Sequence, residues 1–203
     1  MGNREDLLAG ARRCLQEKGW ARTTVRDITT AAGGVSMAAI GYHFGSREVL
    51  LNAALIEAID EWGTRMGRAL ASFGDSKSSP ADRYEAMWAA IIKSFQDERT
   101  LWLATLEALI QAEHSDELRR YLAGSQAQGR RGLAALLLNS PEDEVTDASS
   151  RTLGAAQMAL FTGLMTQWLT DPAHAPDARE VVAGVQMLTG IVDGASAVSR
   201  PPA

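Results

Sequence analysis

Side chains able to do chemistry are sparse in this 203-residue chain. Three histidines, His43, His114 and His174, and one cysteine, Cys14, lie scattered along it. No metal-spaced His/Cys cluster, no Ser/His/Asp set and no glycine-rich phosphate loop stands in the sequence. Cys14 falls at helical spacing from Leu7, Ala11 and Leu15, so it reads as a core side chain. The most pointed chemistry lies in AAGGVSMAAIGYHFGSREVL, residues 31–50. Met37, Ala38 and Ala39 would let a backbone come close to a flat partner. Tyr42 and His43 beside them can reach base edges, thymine methyls or phosphates. That is the non-covalent chemistry of reading double-stranded DNA.

The charge distribution agrees. The whole chain carries a formal −5, which argues against non-specific binding of nucleic acid over its entire surface. Residues 1–50 hold seven Lys/Arg against five Asp/Glu, while the remainder is strongly acidic. Only the N-terminal quarter is therefore a candidate to meet a polyanion. A hydrophobic fraction of 46% and a charged fraction of 22% describe an ordinary globular chain. A lone cysteine fits a cytoplasmic location. The most apolar window, 153–169, is interrupted by Gln157, Thr162, Thr166 and Gln167, which argues against a membrane span.

The elements that must position these residues are all helical, about nine in total. The first covers 4–18 and stops at Gly19. The second starts after Thr24, with Asp27 placed to complete a capping box, and ends at Gly33-Gly34. The third starts at Ser36 or Met37 and ends near His43. The fourth runs from Ser46 to about Leu70. Later helices are expected at about 80–97, 99–113, 115–138, 146–170 and 177–194. A polar loop falls at 73–82, with Pro80 opening the next helix, and the tail SRPPA should fray.

Two short helices joined by a glycine turn, with a helix in front, form a helix-turn-helix pattern. Ile28, Ala32, Val35, Ile40 and Phe44 have the spacing of the small core beneath it. Taken alone, the pattern fits equally well a plain helical corner in which Tyr42 and His43 only pack or cap.

A wider resemblance favours DNA. Residues 4–50 resemble the DNA-binding domain of TetR-family transcriptional regulators. The matching features are Gly19-Trp20, then Thr23, Thr24, Val25 and Ile28, then Ala32, Gly33 or Gly34, Val35 and Ser36. Ile40, Tyr42, His43, Phe44, Ser46, Arg47 and Glu48 close the pattern. The resemblance implies an all-α fold: a three-helix DNA-binding domain at 1–48 and a larger helical effector-binding and dimerisation domain at 49–203. It implies that Thr24, Arg26 and Arg47 contact phosphates, and that Ser36, Met37, Ala38, Ala39, Gly41, Tyr42 and His43 face the groove. Two departures stand out: one extra residue in the Gly33-Gly34 turn, and Gly41 where Tyr is frequent. Both glycines can take a positive φ, so the turn should absorb the extra residue. A one-residue slip would instead rotate helix 3 by about 100° and bury Tyr42.

In the rest of the chain, Trp62, Trp88, Trp102 and Trp168, with Met66, Met87, Phe95, Leu106, Met158, Phe161 and Met165, read as core or as the lining of a cavity. The resemblance makes a subset, Trp88, Trp102, Leu106, Met158, Phe161 and Met165, an effector pocket. Glu107, Gln111, His114 or Gln157 would anchor the ligand. Apolar stripes at Leu153, Leu160 and Leu164, and at Val181, Val185, Leu188 and Val192, exceed what a terminal helical pair needs. The resemblance makes them a two-fold dimer interface. The expected protein is a transcriptional regulator, foremost a repressor, released from palindromic operator DNA by a small apolar or amphipathic effector. No cofactor, metal or membrane is called for. An all-α enzyme is the rival reading, but the chain lacks the residues for one. A protein-only adaptor would not need the positive N-terminal quarter.

Overall fold

The computed structural model describes residues 3–71 and 79–194, and every regular element among them is helical. The helices are α1 (Asn3–Lys18), α2 (Val25–Ala31), α3 (Met37–Phe44), α4 (Arg47–Ala71), α5 (Pro80–Asp97), α6 (Arg99–Gln111) and α7 (Asp116–Leu138). α8 is a continuous path from Asp147–Ser149 through a π-helical turn, Ser150–Gly154, into Ala155–Thr170, and α9 is Ala178–Val192. The expected loop between α4 and α5 lies mostly outside the described residues, as does the expected frayed tail. Among the described residues no helix is long and apolar enough to cross a membrane.

Local capping explains where the chain changes direction. Ser79 accepts from the Asp82 backbone N–H, Asp82 reaches back to Ser79, and Pro80 takes the first helical position. α7 ends on Asn139 in the left-handed region, where the Ser140 N–H closes onto the Ala135 carbonyl at 3.0 Å. The π turn in α8 marks a crossing. A Cβ on Gly154 would lie 2.1 Å from the Arg130 carbonyl, so only glycine lets α7 and α8 meet backbone to backbone there.

Two large apolar cores result, beside a small cluster of Ala134, Ala135 and Val145. The first gathers Leu7, Ala11, Cys14 and Leu15 of α1, Trp20, Ile28, Ile40 and Phe44, and Leu50, Leu51, Ala54 and Leu55 of α4. α6 adds Leu101, Ala104 and Ala108. The second gathers Trp88, Ile91 and Phe95 of α5, Trp102 of α6, Leu164, Met165 and Leu169 of α8, and Val181 of α9. α4 and α6 contribute to both, and Trp62 touches both. The N-terminal helices thus sit on a base shared with the rest of the molecule.

Candidate nucleic-acid interface

α2 and α3 are built by short-range chemistry. The Thr24 hydroxyl accepts from the Asp27 backbone N–H at 3.2 Å, and Asp27 Oδ2 accepts from the Thr24 N–H at 2.9 Å. Lys18 donates to the other carboxylate oxygen at 2.5 Å. That bond, with the two from Thr24, holds the Asp27 carboxyl well below the usual carboxylate range. At the far end of α2, the Gly33 N–H donates to the Thr30 carbonyl at 3.1 Å and the Gly34 N–H to the Thr29 carbonyl at 2.9 Å. Both glycines have positive φ, 86° and 84°. The extra residue is absorbed there. Ser36 then caps α3 by accepting from the Ala38 N–H at 3.2 Å.

With that start, Ile40 and Phe44 point into the core, and Met37, Ala38, Gly41 and Tyr42 form an outward row. Tyr42 is 86% exposed, and its ring meets His43 edge-on at 4.9 Å. The slipped alternative, which would bury Tyr42, is absent. Two expected groove residues sit differently. Ala39 is half-buried against the core and His43 is half-buried, because each lies next to an inward residue, about 100° round the helix. Arg26 is exposed at the start of α2; its carbonyl accepts from the Thr29 hydroxyl at 3.2 Å, while its guanidinium has no hydrogen bond or ion pair among the described residues. Thr24 is exposed too, but its hydroxyl is spent on the cap, where it donates to Asp27 at 2.7 Å.

Arg47 departs most from expectation. Its Nε donates to the Thr23 carbonyl at 2.6 Å and its Nη2 to the Trp20 carbonyl at 2.8 Å, while Nη1 meets Glu48 at 2.9 Å. The side chain is only 22% exposed. Thr23 and Trp20 are buried in the loop between α1 and α2, whose carbonyls lack helical partners, so the guanidinium fork is drawn inward. Arg47 fastens this loop. Glu107, expected as an effector anchor, holds the same loop from α6 by accepting from the Ala21 N–H at 3.1 Å.

The expected pocket residues largely converge. Trp88, Trp102 and Met165 are buried, with Leu106 and Phe161 packed against them. Phe161 meets Trp62, Trp102 and Phe95 at 5.7, 5.5 and 5.3 Å between ring centres. Met158 does not join them; its methyl lies against Gly129 of α7. Of the other proposed anchors, Gln111 lines a surface cleft with Trp20, Arg47 and Glu107, and His114 is exposed. Gln157 alone is buried, 3% exposed, and accepts from the Tyr84 hydroxyl at 2.9 Å. Tyr84 was not anticipated; its one sequence signal is the turn of helix between it and Trp88.

The expected dimer stripes divide. Leu164 and Val181 are buried in this chain's own second core, and Leu160 and Val185 are half-buried. Leu153, Leu188 and Val192 remain exposed, joined by Met187 and Ile191, which the stripe reading missed.

Residues 7–54 match the family described as "Bacterial regulatory proteins, tetR family". Residues 80–193 match the "BetI-type transcriptional repressor, C-terminal" family. The chain is 26% identical to the HTH-type transcriptional regulator BetI of Brucella suis biovar 1 over 183 residues, 90% of this chain and 87% of that protein. It is 43% identical to the HTH-type transcriptional repressor AcnR of Corynebacterium efficiens over 53 residues, 26% of this chain and 28% of that one. A crystal structure of a TetR-family transcriptional regulator from Rhodococcus sp. matches with a TM-score of 0.60 at 26% identity, covering 92% of this chain and 97% of that one.

Proposed function

The chain belongs to the TetR family of bacterial transcriptional regulators, and from that premise we propose a homodimeric repressor that a small effector releases from its operator. It is a DNA-binding regulator, and regulators of this family act as dimers on operator DNA. The observation that carries the reading is the outward row Met37, Ala38, Gly41 and Tyr42, held over Ile40 and Phe44. Small side chains let the α3 backbone approach base edges, and Tyr42 is the long arm that reaches them. Arg26 is the phosphate contact best supported by its exposure. Residues 1–48 form the reading head and 49–203 the body that senses and dimerises.

Two copies meet through the outward faces of α8 and α9, which makes the operator an inverted repeat with half-sites spaced by about one or more helical turns of DNA. A small apolar or amphipathic effector seats against Trp88, Trp102, Leu106, Phe161 and Met165. It favours a domain arrangement whose α3 spacing no longer fits the operator. Selection of bound sequences from a random DNA library tests this. The wild type should enrich an inverted repeat, and Tyr42→Ala should lose the enrichment with its melting temperature unchanged. Enrichment of no sequence by the wild type refutes sequence-specific reading. Loss of stability in Tyr42→Ala refutes the outward pose.

A further inference from the structure

The second core contains polar hydrogens that the protein does not use. The indole N–H groups of Trp62 and Trp88 and the Nε2 amide of Gln157 are buried and have no hydrogen-bond partner. The neighbouring indoles show that this is not general: Trp102 Nε1 donates to the Ser94 carbonyl at 2.9 Å, and Trp168 Nε1 donates to the Pro176 carbonyl at 3.1 Å. Buried donors without partners are uncommon in folded proteins, because each forfeits its bond to water.

The three groups belong to one connected patch. The Tyr84 hydroxyl bonds to Gln157, and the Tyr84 ring stands edge-on to Trp88 at 6.2 Å. Phe161, one helical turn beyond Gln157 on α8, meets Trp62 at 5.7 Å. The amide orientation does not alter the balance. With Oε1 toward Tyr84, both amide hydrogens are free. With the amide flipped, one amide hydrogen and the tyrosine hydroxyl hydrogen are free instead. Either way the patch has hydrogens to give. No charged side chain among the described residues is fully buried, so a ligand charge of either sign would find no fully buried counter-ion here.

Resting on the effector reading above, we propose that this patch selects an uncharged ligand carrying oxygen acceptors, such as a ketone, ester or ether, set on an apolar or aromatic frame. The rings supply contact area and the three free donors fix the oxygen. A cation would find π faces but nowhere to use the donors. An anion would use the donors without a buried cation to balance it.

The test uses the full chain labelled with ¹⁵N and four probes on one benzene frame: acetophenone, isopropylbenzene, benzoate and phenyltrimethylammonium. Five tryptophans give five indole signals, assignable by Trp→Phe substitution. Acetophenone should move the Trp62 and Trp88 signals downfield, as hydrogen bonding does, and leave that of Trp168, whose N–H is already bonded to the Pro176 carbonyl, in place. In Gln157→Met, which keeps the length and removes the amide, the acetophenone affinity relative to isopropylbenzene should fall about three- to tenfold. Trp88→Phe, which keeps an aromatic ring and deletes the N–H, should lower the same ratio. The inference is overturned if acetophenone leaves the Trp62 and Trp88 signals unmoved. It is also overturned if both variants keep the wild-type ratio, or if benzoate or phenyltrimethylammonium binds the patch at least as tightly as acetophenone. Operator release is scored separately. Release by phenyltrimethylammonium alone sinks this inference and spares the effector reading. Acetophenone binding with the expected signals, but without release by any probe that binds, does the reverse.

Discussion

Replacing Arg47 with Ala separates two jobs that one arginine could do at the start of α4. In the structure its guanidinium bridges the Trp20 and Thr23 carbonyls. Hydrogen bonds from a charged donor contribute roughly 1.5–3 kcal/mol each, and partial exposure trims that range. Both carbonyls belong to buried residues, so water replaces the lost bonds only in part. A net destabilisation of about 2 kcal/mol follows, which for a chain of this length lowers the melting temperature by roughly 4–8 °C. Arg47→Lys keeps the charge but not the two-pronged reach, and should lose most of the same stability. A phosphate contact behaves differently. Its removal lowers the salt slope of DNA binding by roughly one and leaves the fold alone. Circular-dichroism melts, paired with operator titrations across salt concentrations, distinguish the two. If Arg47→Ala melts like the wild type and the slope drops by about one, the loop-fastening account is wrong.

Two further outcomes are expected. Ile191→Asp places a charge on an exposed α9 position, so the monomer should stay folded while the dimer dissociates at micromolar concentration in sedimentation; a dimer of wild-type affinity would exclude α9 from the interface. The depressed Asp27 carboxyl stabilises the fold above the ordinary carboxylate pKa of about 3.9 and loses that contribution as pH falls toward its folded value. The melting-temperature gap between wild type and Asp27→Asn should therefore narrow from pH 6 down to about pH 2.5, and a constant gap contradicts the linkage.

Legibility in the sequence followed the range of the interaction. The capping pair Thr24 and Asp27, the Ser36 cap and the four-residue step from Ile40 to Phe44 are all local, and they carry enough information to orient α3. The double glycine was readable for the same reason, since the need for positive φ belongs to the residue itself. The inward hydrogen bonds of Arg47 were not legible because their acceptors lie 24 and 27 residues away, and nothing local says that a basic residue opening a helix will turn inward. Glu107 reaches across 86 residues to Ala21, which no spacing rule predicts.

The expected dimer stripes were legible only as apolar faces. Periodicity identifies which helical faces are apolar but not what covers them. α9 is apolar on more than one side. Val181 is covered by this chain's own second core, while Met187, Leu188, Ile191 and Val192 are left open. An open apolar face of that kind, on the last described helix, is what a second copy would be needed to cover. The stripe drawn from spacing mixed the two faces, so a charge at half-buried Val185 could harm the monomer as well as the dimer. At Ile191 the same charge meets solvent in the monomer and an apolar neighbour only in the dimer, which makes it the cleaner probe.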